Sequence, residues 1–243
     1  MEQPNHRQVQ RVRHALRMRE LSVASVTPLG AHFVSISFQG EALADFLSLS
    51  FDDHVKFMFD GADGVQVRRD YTPRRFSAQS RELTLEFALH GEGAASDWAR
   101  QARPGQRVVV GGPRGSMIVP MAFDWYLLAG DGTALPAIRR RLEELPAGSR
   151  VIVVAAAAPG DRLPFQSAAA VDLHWVDNDE ALVETVRGLA LPEGAGFAWG
   201  AGEAAAMRRL RAVLAEEKGV AKEAMRVSAY WKQGVVDHHE NLE

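Results

Sequence analysis

The chain has 243 residues, enough for two ordinary domains, with 24% charged and 47% hydrophobic residues, the composition of a folded globular protein. A net charge of -3 gives no global footprint for nucleic acid or a membrane surface. The absence of cysteine excludes disulfides, thiolate catalysis and any iron–sulfur cluster or Cys-ligated zinc held by this chain.

Residues 1–19 read as a basic extension, with Arg7, Arg11, Arg13, Arg17 and Arg19 set against Glu2 and Glu20. Without aromatic interleaving this is a solvated helix or tail rather than a nucleic-acid arm. No apolar run approaches the roughly 20 residues of a membrane span, and the beginning is polar where a secretory segment would be apolar. The expectation is a cytoplasmic protein, and a monomer.

From Leu21 the pattern turns to short β-rich runs. Leu21–Val26, His32–Phe38, His54–Phe59, Val65–Tyr71, Leu83–Leu89 and Arg107–Val110 predict six strands with turn residues between them, hence a small antiparallel barrel or sandwich over 20–120. At the end of the fourth run, Arg68-Arg69-Asp70-Tyr71-Thr72-Pro73-Arg74-Arg75-Phe76 places four guanidiniums, a tyrosine and a hydroxyl beside a strand-breaking proline. Arginine forks match phosphate oxygens and an aromatic ring offers a flat face, so the stretch suits a flat cofactor carrying a diphosphate; the same residues would also serve as a solvated strand end. After the fifth run, His90 to Ala99 loosens into glycine and then starts a helix near Ala94 or Ser96, the kind of turn whose free N–H groups seat phosphate or simply link strand to helix. Gly112-Pro113-Arg114-Gly115 is a further tight turn with one arginine.

Near Pro120 the character changes. Trp125–Ala129, Val151–Ala157, Val171–Val176, Phe197–Trp199 and Arg226–Tyr230 read as strands, alternating with helices over Ala137–Leu145, Glu180–Leu189 and Gly202–Glu217. Such alternation predicts a parallel sheet covered by helices over 121–243, with ligands at the carboxyl ends of its strands. Two glycine turns fall there, Gly130 to Pro136 and Gly200 to Glu203, and neither matches the GxGxxG fingerprint. His238-His239-Glu240 invites a metal reading, but adjacent histidines on a polar tail seldom close a site, and no metal ligand is assigned.

Arg69-Asp70-Tyr71-Thr72 between strands, a barrel first and a nucleotide-type half second resemble the ferredoxin-reductase-like flavoproteins, whose flavin motif is R-x-Y-[ST]. More narrowly, Arg69 to Arg74, His90-Gly91, Ala95 to Ala99, Gly112 to Ser116, Leu127 to Pro136, Trp199 to Glu203 and Tyr230-Trp231-Lys232 resemble the siderophore-interacting proteins, flavin-dependent ferric-siderophore reductases. That resemblance implies FAD held by Arg69, Tyr71 and Thr72, with His90 and the Gly93-Ala94-Ala95-Ser96 turn at its phosphates and ribityl chain. It implies NAD(P)H, or else ferredoxin, as donor, with Gly130, Asp131, Thr133, Trp199, Gly200, Gly202 and Glu203 flanking the nicotinamide. It also implies Lys56, Arg114 and Lys232 as the cationic patch for an anionic iron chelate, the flavin and no side chain carrying the chemistry. The chain departs from the family pattern at Gly132, often acidic there, and at Ala94, often proline. Other readings are a flavin reductase or ferredoxin/NAD(P)H oxidoreductase of the same superfamily and a non-enzymatic module that binds an iron chelate.

Overall fold

The computed structural model describes residues 7–61, 64–89, 93–235 and 240–242. The chain forms two units, Gln10–Ile118 and Val119–Glu243 together with Met1–Val9.

In the first unit the alternating runs become β2 (Met18–Leu29), β3 (Phe33–Gln39), β4 (Val55–Asp60), β5 (Gln66–Tyr71), β7 (Glu82–Ala88) and β8 (Arg107–Gly111), joined by β6 (Arg75–Ser77). All pairings are antiparallel, in the order β5-β4-β8-β2-β3-β7-β6. The expected six-stranded closed barrel is therefore a seven-stranded open sheet. The extra strand is β6, only three residues long and directly behind Pro73, too short for any alternation to show. Its two edges, β5 and β6, are consecutive in the chain and are joined by Thr72 to Arg74 rather than by a hydrogen-bonded ladder.

Period-2 alternation sends Ile36, Phe38, Val55, Phe57, Phe59, Leu83, Leu85, Phe87, Val108 and Val110 to one face, where they form the core. Burying each such side chain contributes about 1.5–3 kcal/mol. Helix α1 (Ala94–Arg100) adds Trp98 to this face, its ring centroid 4.8 Å from Phe57 and 5.9 Å from Phe87. The basic beginning is not a free tail. Residues Gln10–Arg13 form β1, paired with β9 (Gly115–Ile118), and Arg19 is buried in β2, bonded to the carbonyls of Ala42 and Gly112 and to Asp45. Asp53 ties this ribbon down: its Oδ2 accepts from Ser48, Ser116 and the Ser50 N–H, and Ser116 Oγ in turn lies 2.8 Å from His14 Nε2.

The second unit carries β10 (Trp125–Gly130), α2 (Leu135–Glu144), β11 (Arg150–Ala156), β12 (Ala170–Val176), α3 (Asp179–Gly188), β13 (Gly196–Glu203), α4 (Ala204–Ala212) and β14 (Met225–Trp231). The sheet order is β12-β11-β10-β13-β14-β15, parallel except for β15 (Glu240–Leu242), which runs antiparallel to β14. β13 extends four residues beyond its predicted end, so Gly202 and Glu203 lie in the strand and α4 begins after them. Among the described residues no helix is long and apolar enough to cross a membrane.

Gly196 opens β13 because the Trp125 ring of the neighbouring strand occupies the space its Cβ would need. Gly196→Ala is expected to lower the unfolding free energy by about 1–3 kcal/mol, the usual cost of overpacking, read as a lower midpoint in urea with an unchanged slope.

Candidate cofactor and substrate site

On β5, Arg69 and Tyr71 point to the core face, opposite Phe57 and Val55 of β4. The Tyr71 ring packs on Phe87 at 4.2 Å and edge-on to Phe57 at 5.7 Å, while the residue as a whole remains partly exposed at the open edge. Desolvation pushes its phenol above the usual range and the Arg69 guanidinium pulls partly back, so the ring stays neutral. Arg69 makes no ion pair among the described residues; its one hydrogen bond goes to the Arg68 carbonyl, 2.7 Å away. Thr72 is buried at the corner that follows. Helix α1 follows its N-cap Gly93; among the described residues no side chain caps its first turn, and a Cβ added at Gly93 would meet none of them within 4 Å. Ser96 donates its hydroxyl to the Ala88 carbonyl at 3.2 Å, binding the start of α1 to the end of β7.

These residues fit a flavin dinucleotide. A guanidinium with no ion pair among the described residues suits a diphosphate, a partly exposed ring backed by two phenylalanines offers a surface for stacking, and a helix start without a side-chain cap among the described residues suits oxygen acceptors. His90, the remaining residue of the set, lies outside the described residues, as do His238 and His239.

The other arginines of the stretch separate. Arg74 is buried and ion-paired with Glu86 of β7 at 3.3 Å, a structural role that sequence reading left unassigned. Arg68 is exposed and bonds Gln66 through two nitrogens. Of the candidate substrate cations, Lys56 pairs with Asp70 at 3.0 Å directly across the β4–β5 ladder, and Arg114 is exposed in the turn three residues past Gly111, the β8 partner of Lys56. Lys232 is exposed just after β14 in the other unit. Asp70 escaped notice in the sequence because its role depends on register with a strand fourteen residues away.

At the carboxyl end of the parallel sheet the nicotinamide set divides in two. Trp199 is fully buried, and a Cβ at Gly200 would meet Leu210 of α4 at 2.7 Å, so both are packing positions of β13. Gly130 likewise has no room for a Cβ beside Ala134 and the Ala201 carbonyl. Asp131, Thr133, Gly202 and Glu203 do come together. Asp131 is buried, and its Oδ1 accepts from the Thr133 N–H and hydroxyl at 2.8 and 2.5 Å. Its Oδ2 accepts from the Glu203 N–H at 2.9 Å and from the Trp231 indole at 2.7 Å. Gly202, at φ 155°, lets this happen: a Cβ there would lie 2.7 Å from Asp131 Oδ2. The Glu203 carboxylate caps α4 by accepting from Ala205 and Ala206 N–H.

Burial, and then the negative charges of Asp131 and Glu203, push the Asp179 carboxyl from 3.8 up to about 6, with Arg209 opposing. The folded chain thus holds a proton that the unfolded chain releases across that window, and stability falls as pH rises through it. Asp179→Asn is expected to raise Tm at about pH 7.5, the gain shrinking on acidification and vanishing near about pH 4, checked by thermal melts across pH.

Comparison with known proteins bears on both units. The model of the siderophore-interacting FAD-binding domain matches residues 60–117, and that of the siderophore-interacting protein matches residues 123–234. The chain is 35% identical to the NADPH-dependent ferric-chelate reductase of Escherichia coli K12, over 91% of this chain and 96% of that one. It is 28% identical to the ferric vibriobactin reductase ViuB of Vibrio cholerae, over 84% and 85% of the two chains. The crystal structure of a siderophore utilization protein from T. fusca superposes with a TM-score of 0.88 at 31% identity, covering 94% of this chain and 98% of that one. A strand unit with an Arg-x-Tyr-Thr edge followed by a parallel α/β unit, matched along nearly its whole length, places the chain in the siderophore-interacting protein family.

Proposed function

We propose that this chain is an FAD-dependent oxidoreductase that reduces ferric iron held by a siderophore and so releases it. The observation that carries the reading is the open edge at Arg69–Thr72, with a guanidinium that makes no ion pair among the described residues and a largely buried ring reaching the edge, in a chain whose relatives are ferric-chelate and ferric-vibriobactin reductases. Bound FAD supplies acceptance of a hydride from NAD(P)H and delivery of electrons singly to Fe(III). Arg69 would hold the FAD diphosphate, Tyr71 would lie against the isoalloxazine, Thr72 would bond near its reactive edge, and Gly93 with the first residues of α1, Ala94, Ala95 and Ser96, together with His90, would take phosphate and ribityl oxygens. No side chain needs to act as a general acid or base. Hard oxygen donors favour the smaller, more highly charged ferric ion, so reduction loosens the chelate.

Lys56 and Arg114 of the strand unit are proposed as contacts for the anionic chelate, as is Lys232 of the α/β unit. Asp70 offsets the charge of Lys56, so this cation is weaker than its formal charge suggests. Asp131, Thr133, Gly202 and Glu203 are proposed to frame the approach of the nicotinamide nucleotide, and the location is proposed to be cytoplasmic, with the chain acting as a monomer. The NADPH-dependent relative favours a nicotinamide donor over ferredoxin.

The central test is anaerobic. Protein loaded with FAD is expected to bleach at the flavin bands on adding NADPH and to recover on adding a ferric siderophore, with Fe(II) trapped by a ferrous chelator; an unbleached flavin with NADPH, NADH and reduced ferredoxin, or bleaching without iron reduction, overturns the reading. Tyr71→Ala and Arg69→Ala are each expected to weaken FAD binding by about tenfold, the scale of one stacked ring or one charge-assisted contact, measured by flavin fluorescence. Unchanged affinity in both would remove the open edge from the cofactor seat.

A further inference from the structure

The carboxyl end of the parallel sheet holds a contradiction with its sequence. Two helix starts there, after β10 and after β13, are the places where a dinucleotide's pyrophosphate would find free N–H groups. Both are filled by the chain's own carboxylates. Asp131 accepts from the Thr133 N–H, and Glu203 accepts from those of Ala205 and Ala206. Asp179, which feels the charge of both, adds a third anion. Phosphate is disfavoured where such a group of carboxylates sits.

What the same end offers is an aromatic ring. Trp231 ends β14 opposite Glu203 and is 40% exposed, although it carries the largest apolar side chain of any residue type. Its one polar atom is withdrawn from solvent, donating to Oδ2 of Asp131, itself only 7% exposed. A charge-assisted hydrogen bond of 2.7 Å fixes the indole, and what remains in solvent is carbon surface. Asp131 reaches Trp231 across one hundred residues and at the same time holds Glu203 of the intervening strand, so the ring is fixed to three adjacent strand ends at once.

We propose that Trp231 is the platform on which the nicotinamide ring of the donor stacks, and that Asp131 is the positioning residue that holds the indole for it; this rests on the reading above that a nicotinamide nucleotide donates the electrons. An indole backed by a carboxylate favours nicotinamide in particular, because that ring becomes cationic as it gives up hydride, and a cation is attracted both to an indole face and to the Asp131 carboxylate bonded to it. The donor is then oriented at this end by ring stacking and charge rather than by phosphate capture at a helix start.

The test titrates NADP⁺ and, separately, NAD⁺ into the FAD-loaded full chain, reading affinity by calorimetry and tryptophan fluorescence in parallel. Trp231→Ala is expected to weaken binding of the preferred nucleotide by about tenfold and to abolish the part of the quenching that belongs to this residue. Trp231→Phe keeps a ring but loses the N–H and is expected to lose about threefold, as is Asp131→Asn, which weakens the acceptor. The double variant is expected to lose no more than either single one, a coupling that a merely structural role of Asp131 would not produce. Trp231→Ala and Trp231→Phe binding as tightly as the wild type, with quenching intact, overturns the proposal while leaving the reductase reading standing. Wild type that binds neither nucleotide, yet reduces a ferric siderophore once its flavin is photoreduced, overturns the proposal and the nicotinamide donor together.

Discussion

The strand unit depends on a gap. Its first and last strands in spatial order, β5 and β6, are neighbours in the sequence, but a three-residue corner joins them in place of a ladder. Pro73 helps to keep it so, since it has no N–H to give to a partner strand. A closed barrel would spend the edge of β5 on pairing. The open one leaves the edge of β5 without a ladder partner among the described residues, with Arg69 and Tyr71 on that strand. Stability comes from inside instead, where Phe38, Phe57, Phe59, Phe87 and Trp98 meet at tilted and edge-on angles, with Phe38 and Trp98 stacked. Because Tyr71 packs on the same cluster as Trp98, the ring at the edge and the start of α1 take their positions from one set of contacts.

The α/β unit handles its polar groups differently. Asp131 has about four acceptor sites and uses each on a donor of the chain itself, so this carboxylate is a knot that joins β10, β13 and β14. The glycines around it serve the knot: Gly202 makes room for Asp131, and Gly130 lets β10 come close to β13. Read along the chain, the same residues look like a turn prepared for a ligand. Read in space, most of their bonding capacity has already been used, and the exposed product of the arrangement is the indole.

What could be seen in the sequence was whatever is periodic or locally complete. Alternation in His32–Phe38 and the apolar runs of Trp125–Ala129 and Val151–Ala157 gave strands close to β3, β10 and β11, and Arg69-Asp70-Tyr71-Thr72 stands on a strand end as its chemistry implied. What escaped was short or depended on register. β6 and β15 have three residues each, and β1 and β9 pair across a hundred residues. The Arg74–Glu86 and Lys56–Asp70 pairs are fixed by which residue faces which across a ladder, and no window along the chain carries that information. Helix starts shifted for a related reason: a strand goes on as long as its neighbour can pair with it, which carried β13 through Gly202 and Glu203.

The ribbon of β1 and β9 changes what the beginning of the chain is. With Val12 opposite Ser116, and Ser116 bonded both to Asp53 and to His14, residues that look dispensable by composition form half of a two-stranded sheet tied to the strand unit. For anyone making the protein, the practical boundary is therefore not where the arginines stop. An expression plasmid that opened at Glu20 would leave β9 with no partner strand and Asp53 holding a serine that has lost its histidine.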